Sequence, residues 1–175
     1  GIDSATGKRQ GFELLRDGFN LYGADAKILI CPEFDKTASC AAALTTLAEQ
    51  LKAVAYVQLP KGTSLSDAIK GRGPLGTINA SASTERARHF FPYAIGSSNT
   101  LESLAVHAAG LRMKTDTENG YWFSTSNRPL QGVIGMEIPL TARVDDEQSE
   151  TNQLNAVGIT TIFNSFGTGF RLWGN

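Results

Sequence analysis

The segment PKGTSLSDA sets Ser64 behind Gly62 and Thr63, at the mouth of a helix. A serine so placed can act as a nucleophile if a histidine takes its proton and a carboxylate orients that histidine. The chain has two histidines, His89 and His107, and both follow Ser64. The helix after Ser64 carries Asp67 and Lys70, which mark it as a surface helix. Asp67 stands where a capping box needs its carboxylate, so the sequence assigns Ser64 to the N-cap. His107 falls beside Leu104, Ala108 and Ala109 on a helix and reads as a packed or rim side chain. His89 lies between Arg88 and Phe90, where the neighbouring cation favours the neutral ring and no carboxylate stands close in sequence.

Other residue types with chemical potential are equally scattered. Cys31 ends the apolar run KILIC, and Cys40 lies in TASCAAAL. Two thiols on separate elements read as small buried apolar groups rather than a disulfide. Together with the histidines they lack the C-x-x-C or H-x₃-H spacing of a zinc site. GRGPLG has no Lys-Ser/Thr, and Pro74 removes an amide donor that a phosphate would need, so it reads as a loop. DDEQSE lacks the central glycine of a calcium loop and reads as solvated. We therefore expect no catalytic, cofactor-binding or metal-ligating residue, and no cofactor.

The elements around these residues are more informative. Phe12, Leu15, Phe19 and Tyr22 define one face of a first helix that Gly23 can stop. AKILIC is a short apolar run suited to a strand covered on both faces. DKTASCAAALTTLAEQLKA forms a second helix, capped by Thr37 or Ser39. VAYVQLP is another buried strand, and a short third helix follows Ser64 and ends at Gly71. RHFFPYAI is a third strand whose Pro92 argues for an edge or a bulge. The segment from Asn99 to Asp116 is a fourth helix, capped by Asn99 or Thr100, with Leu101, Leu104, Ala105, Ala108 and Leu111 as its apolar stripe. After Asp116 come aromatic, Gly and Pro punctuation, a polar stretch with a short helix or turn around Leu154, and two β segments separated by Gly167-Thr168-Gly169. The fold class is α/β: three layers, a largely parallel sheet flanked by helices, additional β segments and a C-terminal hairpin. The whole of 1–175 reads as one domain, with 1–8 flexible. A net charge of −1 gives no basic footprint for nucleic acid, and no apolar run approaches the ~20 residues of a membrane span. Charged residues are 19% of the chain, a little under the usual ~25%, which suits an exterior partly covered by partners.

Two segments together resemble the central domain of contractile phage tail sheath proteins. In AAGLRMKTDTENGYWFSTSNRPLQGVIG the matching positions are Ala109, Gly110, Asp116, Gly120, Trp122, Ser126, Asn127, Pro129 and Gly132. In QLNAVGITTIFNSFGTGFRLWGN they are Leu154, Asn155, Gly158, Arg171, Trp173, Gly174 and Asn175. In the family pattern the Ala-Gly pair closes a helix. Its Ser-x-Asn segment usually has Pro and Ala between its ends, where this chain has STSN. The family's central domain is subtilisin-like in topology without the protease's catalytic residues. That is consistent with the Gly-Thr-Ser echo at Ser64, because the subtilisin chain order of acid, His, Ser is not met here.

The resemblance implies a structural virion protein: a subunit that polymerises as hexameric rings and a helical stack around a tail tube, and contracts. Its implied partners are other sheath subunits, the tail tube protein and the baseplate, without direct nucleic-acid binding or membrane insertion. The implied location is the virion tail sheath, and the host cytoplasm during assembly. The motif residues are expected to be fold determinants. Asn127 suits a turn, and Arg171 and Trp173 share a strand face on which they could stack. Surface charges such as Arg16, Asp17, Lys52, Lys70 and Arg112 are expected at interfaces. The family's Arg-Thr continuation and flanking segments are not in the sequence, which leads us to expect a central fragment of a longer subunit. Two rivals stand beside this reading: a serine hydrolase using Ser64 with His89 or His107, and a baseplate or adhesion binding module.

Overall fold

A computed structural model describes residues 1–71, 84–164 and 167–174. Five strands form the main sheet in the order β1 (Ile28–Ile30), β2 (Val54–Gln58), β3 (Ala87–Phe90), β7 (Ile159–Asn164), β8 (Phe170–Trp173). The first three pairings are parallel, and β7 pairs antiparallel with β8, with Ile162 opposite Leu172. Alternation along the strands sorts side chains to the two faces. Ala55 and Val57 pack with Leu29 against Leu44, Leu47 and Ala48 of α2 (Ala38–Leu51). On the same side, α3 (Leu65–Gly71) and α5 (Glu150–Ala156) enclose Leu59, Phe91, Leu154 and Ile159. Tyr56, Phe90, Ile162 and Leu172 point the other way, onto Leu104, Ala105, Ala108 and Leu111 of α4 (Leu104–Asn119). Beside α4 lies a small antiparallel sheet ordered β5 (Leu101–Glu102), β4 (Ala94–Gly96), β6 (Val133–Met136). The architecture is the expected three-layer α/β arrangement with a C-terminal hairpin.

Four elements differ from their sequence reading. The first helix begins as a 3₁₀ segment, Gly11–Asp17, and becomes α1 only over Gly18–Tyr22. Three residues per turn rotates the face that a 3.6-residue period would align. Phe12 alone leans on the α2 cluster, and Phe19 and Tyr22 are 66% and 82% exposed. β1 is an edge strand: Leu29 is buried toward α2 and Ile28 is half-buried against the α4 cluster, but Ile30 is exposed, so its two faces are covered only in part. The Pro92 strand divides: β3 is interior, lying between β2 and β7, and it ends before the cis Phe91–Pro92 bond that sends the chain to β4. Lastly, α4 starts after Ser103, because Leu101 and Glu102 are drawn into β5. It runs on to Asn119, so Gly110 lies inside the helix and does not close it.

Candidate functional site: a polar junction around Arg88

β3 places Arg88 on the face that looks toward α4, next to Phe90. A cation there must find acceptors or forfeit several kcal/mol of hydration. It finds four. Nε donates to Thr160 Oγ1 (2.9 Å), Nη1 to Thr125 Oγ1 (3.2 Å) and Tyr56 Oη (3.4 Å), and Nη2 to the Gly174 carbonyl (2.7 Å). The guanidinium also lies 5.6 Å and 5.4 Å from the Tyr56 and Phe90 ring centres. Burial lowers its pKa from the ordinary arginine value, with Tyr56 acting in the opposite sense. Among the described residues its hydrogen-bond partners are neutral oxygens.

Several signature residues converge on this point. Backbone bonds tie the segment after α4 to the outer edge of β8. Asn127 N donates to Leu172 O (2.7 Å), Leu172 N to Arg128 O (3.1 Å), and Leu130 N to Phe170 O (2.8 Å). Pro129, bridged to Arg171, sits where no ladder donor is needed, as edge prolines do. Asn127 takes the left-handed conformation at φ 58°, and its carbonyl accepts Arg171 Nη1 at 2.8 Å. Gly174 is held from both sides, its amide donating to Ser126 Oγ (3.2 Å) while its carbonyl accepts Arg88. At φ 108°, a Cβ there would come within 2.2 Å of Asn155 Oδ1. Trp173 meets Phe163 edge-on at 5.1 Å, and its indole N–H reaches Asn152 Oδ1 at 3.3 Å. Trp173 and Arg171 thus have separate partners. Leu154 is buried beneath the hairpin in the α3–α5 cluster, and Gly158 N bonds Asn155 O (2.9 Å) just before β7.

The other end of the junction is the C-terminus of α4. Arg112 bonds the Asp116 carboxylate and the Phe123 carbonyl (2.6 Å), so this expected interface charge serves the fold. Arg128 Nη1 donates to Asn119 Oδ1 (2.8 Å). Trp122 folds over Gly120, where any Cβ would strike the indole ring, yet Trp122 remains 71% exposed. Ala109 is buried in the α4 core, whereas a Cβ on Gly110 would meet nothing, and Gly132 is an exposed turn residue at φ 73°. Asn175 lies outside the described residues, as do Pro74 and the rest of the Gly-rich loop after Gly71.

The residues weighed for catalysis lie in different settings. Ser64 Oγ donates to Asp67 Oδ2 (2.7 Å) and accepts from Asp67 N (3.1 Å), which is the expected cap. His107 Nε2 lies 2.7 Å from Glu102 Oε2, tying α4 to β5, and His89 is wholly buried in β3. The thiols, which are not joined in a disulfide, depart from expectation: Cys31 and Cys40 are partly exposed rather than buried. Sequence reasoning also missed the Gln58 node. This fully buried side chain donates to Phe90 O (3.1 Å) and accepts from Ala105 N (3.2 Å) and Ser103 Oγ (3.4 Å), fastening β2 and β3 to the start of α4. Its backbone N–H meets the buried Asp35 carboxylate at 2.9 Å. The signal available was an Arg and a Gln at positions that strand alternation turns inward.

This arrangement defines a class: an α/β body whose sheet, long helix and hairpin are cross-tied through one polar junction. A family model described as the phage tail sheath protein central domain matches residues 7–175, and the chain belongs to that family. It is 47% identical over its whole length to the tail sheath protein of Burkholderia phage BcepMu, of which it covers 38%. It is 30% identical to the major tail sheath protein of Serratia phage KSP20, covering all of this chain and 43% of that protein. The fold matches a chain in the contracted helical sheath of the anti-feeding prophage at TM-score 0.63 and 20% identity, covering 100% of this chain and 44% of that one. A chain in the six-fold symmetrised baseplate of the same particle matches at TM-score 0.64. The chain thus spans about two-fifths of the relatives it matches.

Proposed function

We propose that this chain is the non-enzymatic central body of a contractile tail sheath subunit, working in a virion tail and assembled in the host cytoplasm. Copies pack as six-membered rings in a helical stack around a tail tube, next to a baseplate. Contraction repacks these bodies as rigid units, and the driving free energy is the difference in interface energy between extended and contracted states. The observation that carries this reading is the family match across 7–175 on a fold shared with sheath chains. The cross-tied junction supports it, because a body that transmits force must hold its helix, sheet and hairpin together while its neighbours move. The signature residues that meet in it, Ser126, Asn127, Pro129, Arg171 and Gly174, act as its fold determinants, and the described region behaves as one domain.

A chimera tests the proposal. This chain replaces the matching region of the BcepMu sheath protein, and assembly is viewed by electron microscopy. Sheath-like tubes are expected; dispersed subunits, under conditions where the parent assembles, would refute it. Labelling of Ser64 by a fluorophosphonate probe would instead revive the hydrolase reading, and we expect none.

A further inference from the structure

α4 ends on the pair Asn119-Gly120, and no other asparagine is followed by glycine within the sequence. Packing fixes the pair there. Gly120 has φ 94° and ψ 157°, a conformation open essentially to glycine alone, and a Cβ on it would lie 2.5 Å from the Trp122 ring. Both residues are half-buried, so water reaches them. Each reactive group of the pair is engaged. Gly120 N donates the last bond of the helix, to Asp116 O at 3.1 Å. Asn119 Oδ1 accepts from Arg128 Nη1 at 2.8 Å. Arg128 is itself held from outside the helix. Its Nε donates to Ser124 O (3.3 Å), its guanidinium lies 5.5 Å from the Phe123 ring centre, and its carbonyl accepts from Leu172 N (3.1 Å).

We propose that Asn119 is a site of self-modification, deamidation through a cyclic imide, and that Arg128 is its gate. When the last turn of α4 opens, hydroxide removes the Gly120 amide proton and the nitrogen attacks Asn119 Cγ. The Cγ–Nδ2 bond breaks, and Nδ2 leaves as ammonia with a proton taken from water, which regenerates the hydroxide. A five-membered imide remains. Water then adds at Cγ to leave aspartate, or at the backbone carbonyl carbon of residue 119 to leave isoaspartate. The sum is one amide and one water converted to one acid and ammonia, with no change of oxidation state. Glycine favours the attack because no side chain crowds its nitrogen. In the closed structure the Arg128 bond keeps the amide from turning toward Gly120, and the Asp116 bond occupies the nitrogen. Helix ends fray, so the Asp116 bond opens locally. The Arg128 bond is charge-assisted and anchored on the β8 side, so its release sets the rate. An aspartate product keeps Arg128 as its partner, whereas isoaspartate adds a backbone carbon beside Trp122 and loosens the cap. The inference rests on this local geometry and not on the sheath reading.

The test holds the native chain at mildly alkaline pH, digests it with trypsin and follows the peptide Thr115–Arg143 by mass spectrometry. Arg128 precedes Pro129 and is not cut, so this one peptide carries Asn119 together with Asn127 as an internal comparison. A product about 1 Da heavier is expected, separable into two isomers, with fragment ions placing the change on Asn119. Arg128→Ala should speed its formation about tenfold, the effect of losing one charge-assisted bond. Arg128→Lys, which keeps a charged donor, should recover part of that protection. Arg88→Ala weakens the same body but leaves the bond to Asn119, so it should speed the reaction less. Wild type in urea supplies a measurement that needs no variant to fold. A local opening exposes little surface, so the rate should stay nearly flat below the unfolding transition and climb only within it. No product at Asn119 from the folded chain, equal acceleration by Arg88→Ala and Arg128→Ala, or a rate that follows global unfolding from the lowest urea would overturn the proposal.

Discussion

Arg88 shows how one side chain ties distant parts of the sequence together. Its partners Tyr56, Thr125, Thr160 and Gly174 lie on β2, the loop after α4, β7 and the end of β8. Arg88→Ala should cost about 2–4 kcal/mol in urea unfolding, since it strands buried acceptors as well as deleting bonds. Arg88→Lys should recover only part of this, because an ammonium cannot reproduce the planar fork. Asp35 offers a test of opposite character. Burial raises its carboxyl above the ordinary 3.8, outweighing the Gln58 and backbone amides that lower it, and Glu33 adds to the rise. Between 3.8 and the raised native value, the folded chain holds a proton that the unfolded chain has released. Its contribution to stability is therefore complete at low pH and declines as pH climbs through that window. Asp35→Asn keeps an acceptor for Gln58 N but removes the titration. Wild type should lose stability relative to Asp35→Asn as pH rises from 3 to 7 in paired denaturation curves. Parallel curves would contradict this account.

At the scale of elements, two signature glycines carry opposite expectations. Gly110 lies inside α4 with open space where a Cβ would go. Gly110→Ala should therefore stabilise the isolated chain by about 0.5–1 kcal/mol, read as a rise in Tm. Gly174 combines φ 108° with a Cβ position blocked by Asn155. Gly174→Ala should destabilise by more than 1 kcal/mol and loosen the hairpin that Arg88 anchors. The helices were legible because their caps and breakers are local: Ser64 with Asp67, and Gly23 at φ 68°. The 3₁₀ start at Gly11 and the diversion of Leu101–Glu102 into β5 were not, because competing pairings outside those windows decided them.

For the whole molecule, burial is uneven. β2, β3 and β7 are covered on both faces, while the helices over Gly11–Tyr22 contain no buried residue and expose Leu14, Phe19, Leu21 and Tyr22. Short helices without a buried face are marginal in water. Hydrogen exchange should therefore be fast over 11–22 and slowest over 54–58, 87–90 and 159–163, a ranking that mass spectrometry of peptides can check. Equal protection across these segments would show that the first helices hold on by means other than core packing.

Local patterns were enough to predict the alternation of strands and helices, the buried runs of β2 and β7, the antiparallel pairing of β7 with β8 and the capping role of Ser64. Each is written in periodicity or in neighbouring residues. The sequence also held the motif spacing that led to the family. Long-range contacts set β1 at an edge and β3 in the interior, and made Arg88 and Gln58 the polar ties. Strand order and buried hydrogen-bond partners join residues tens of positions apart, and no local pattern encodes which of many compatible partners a folded chain brings within reach.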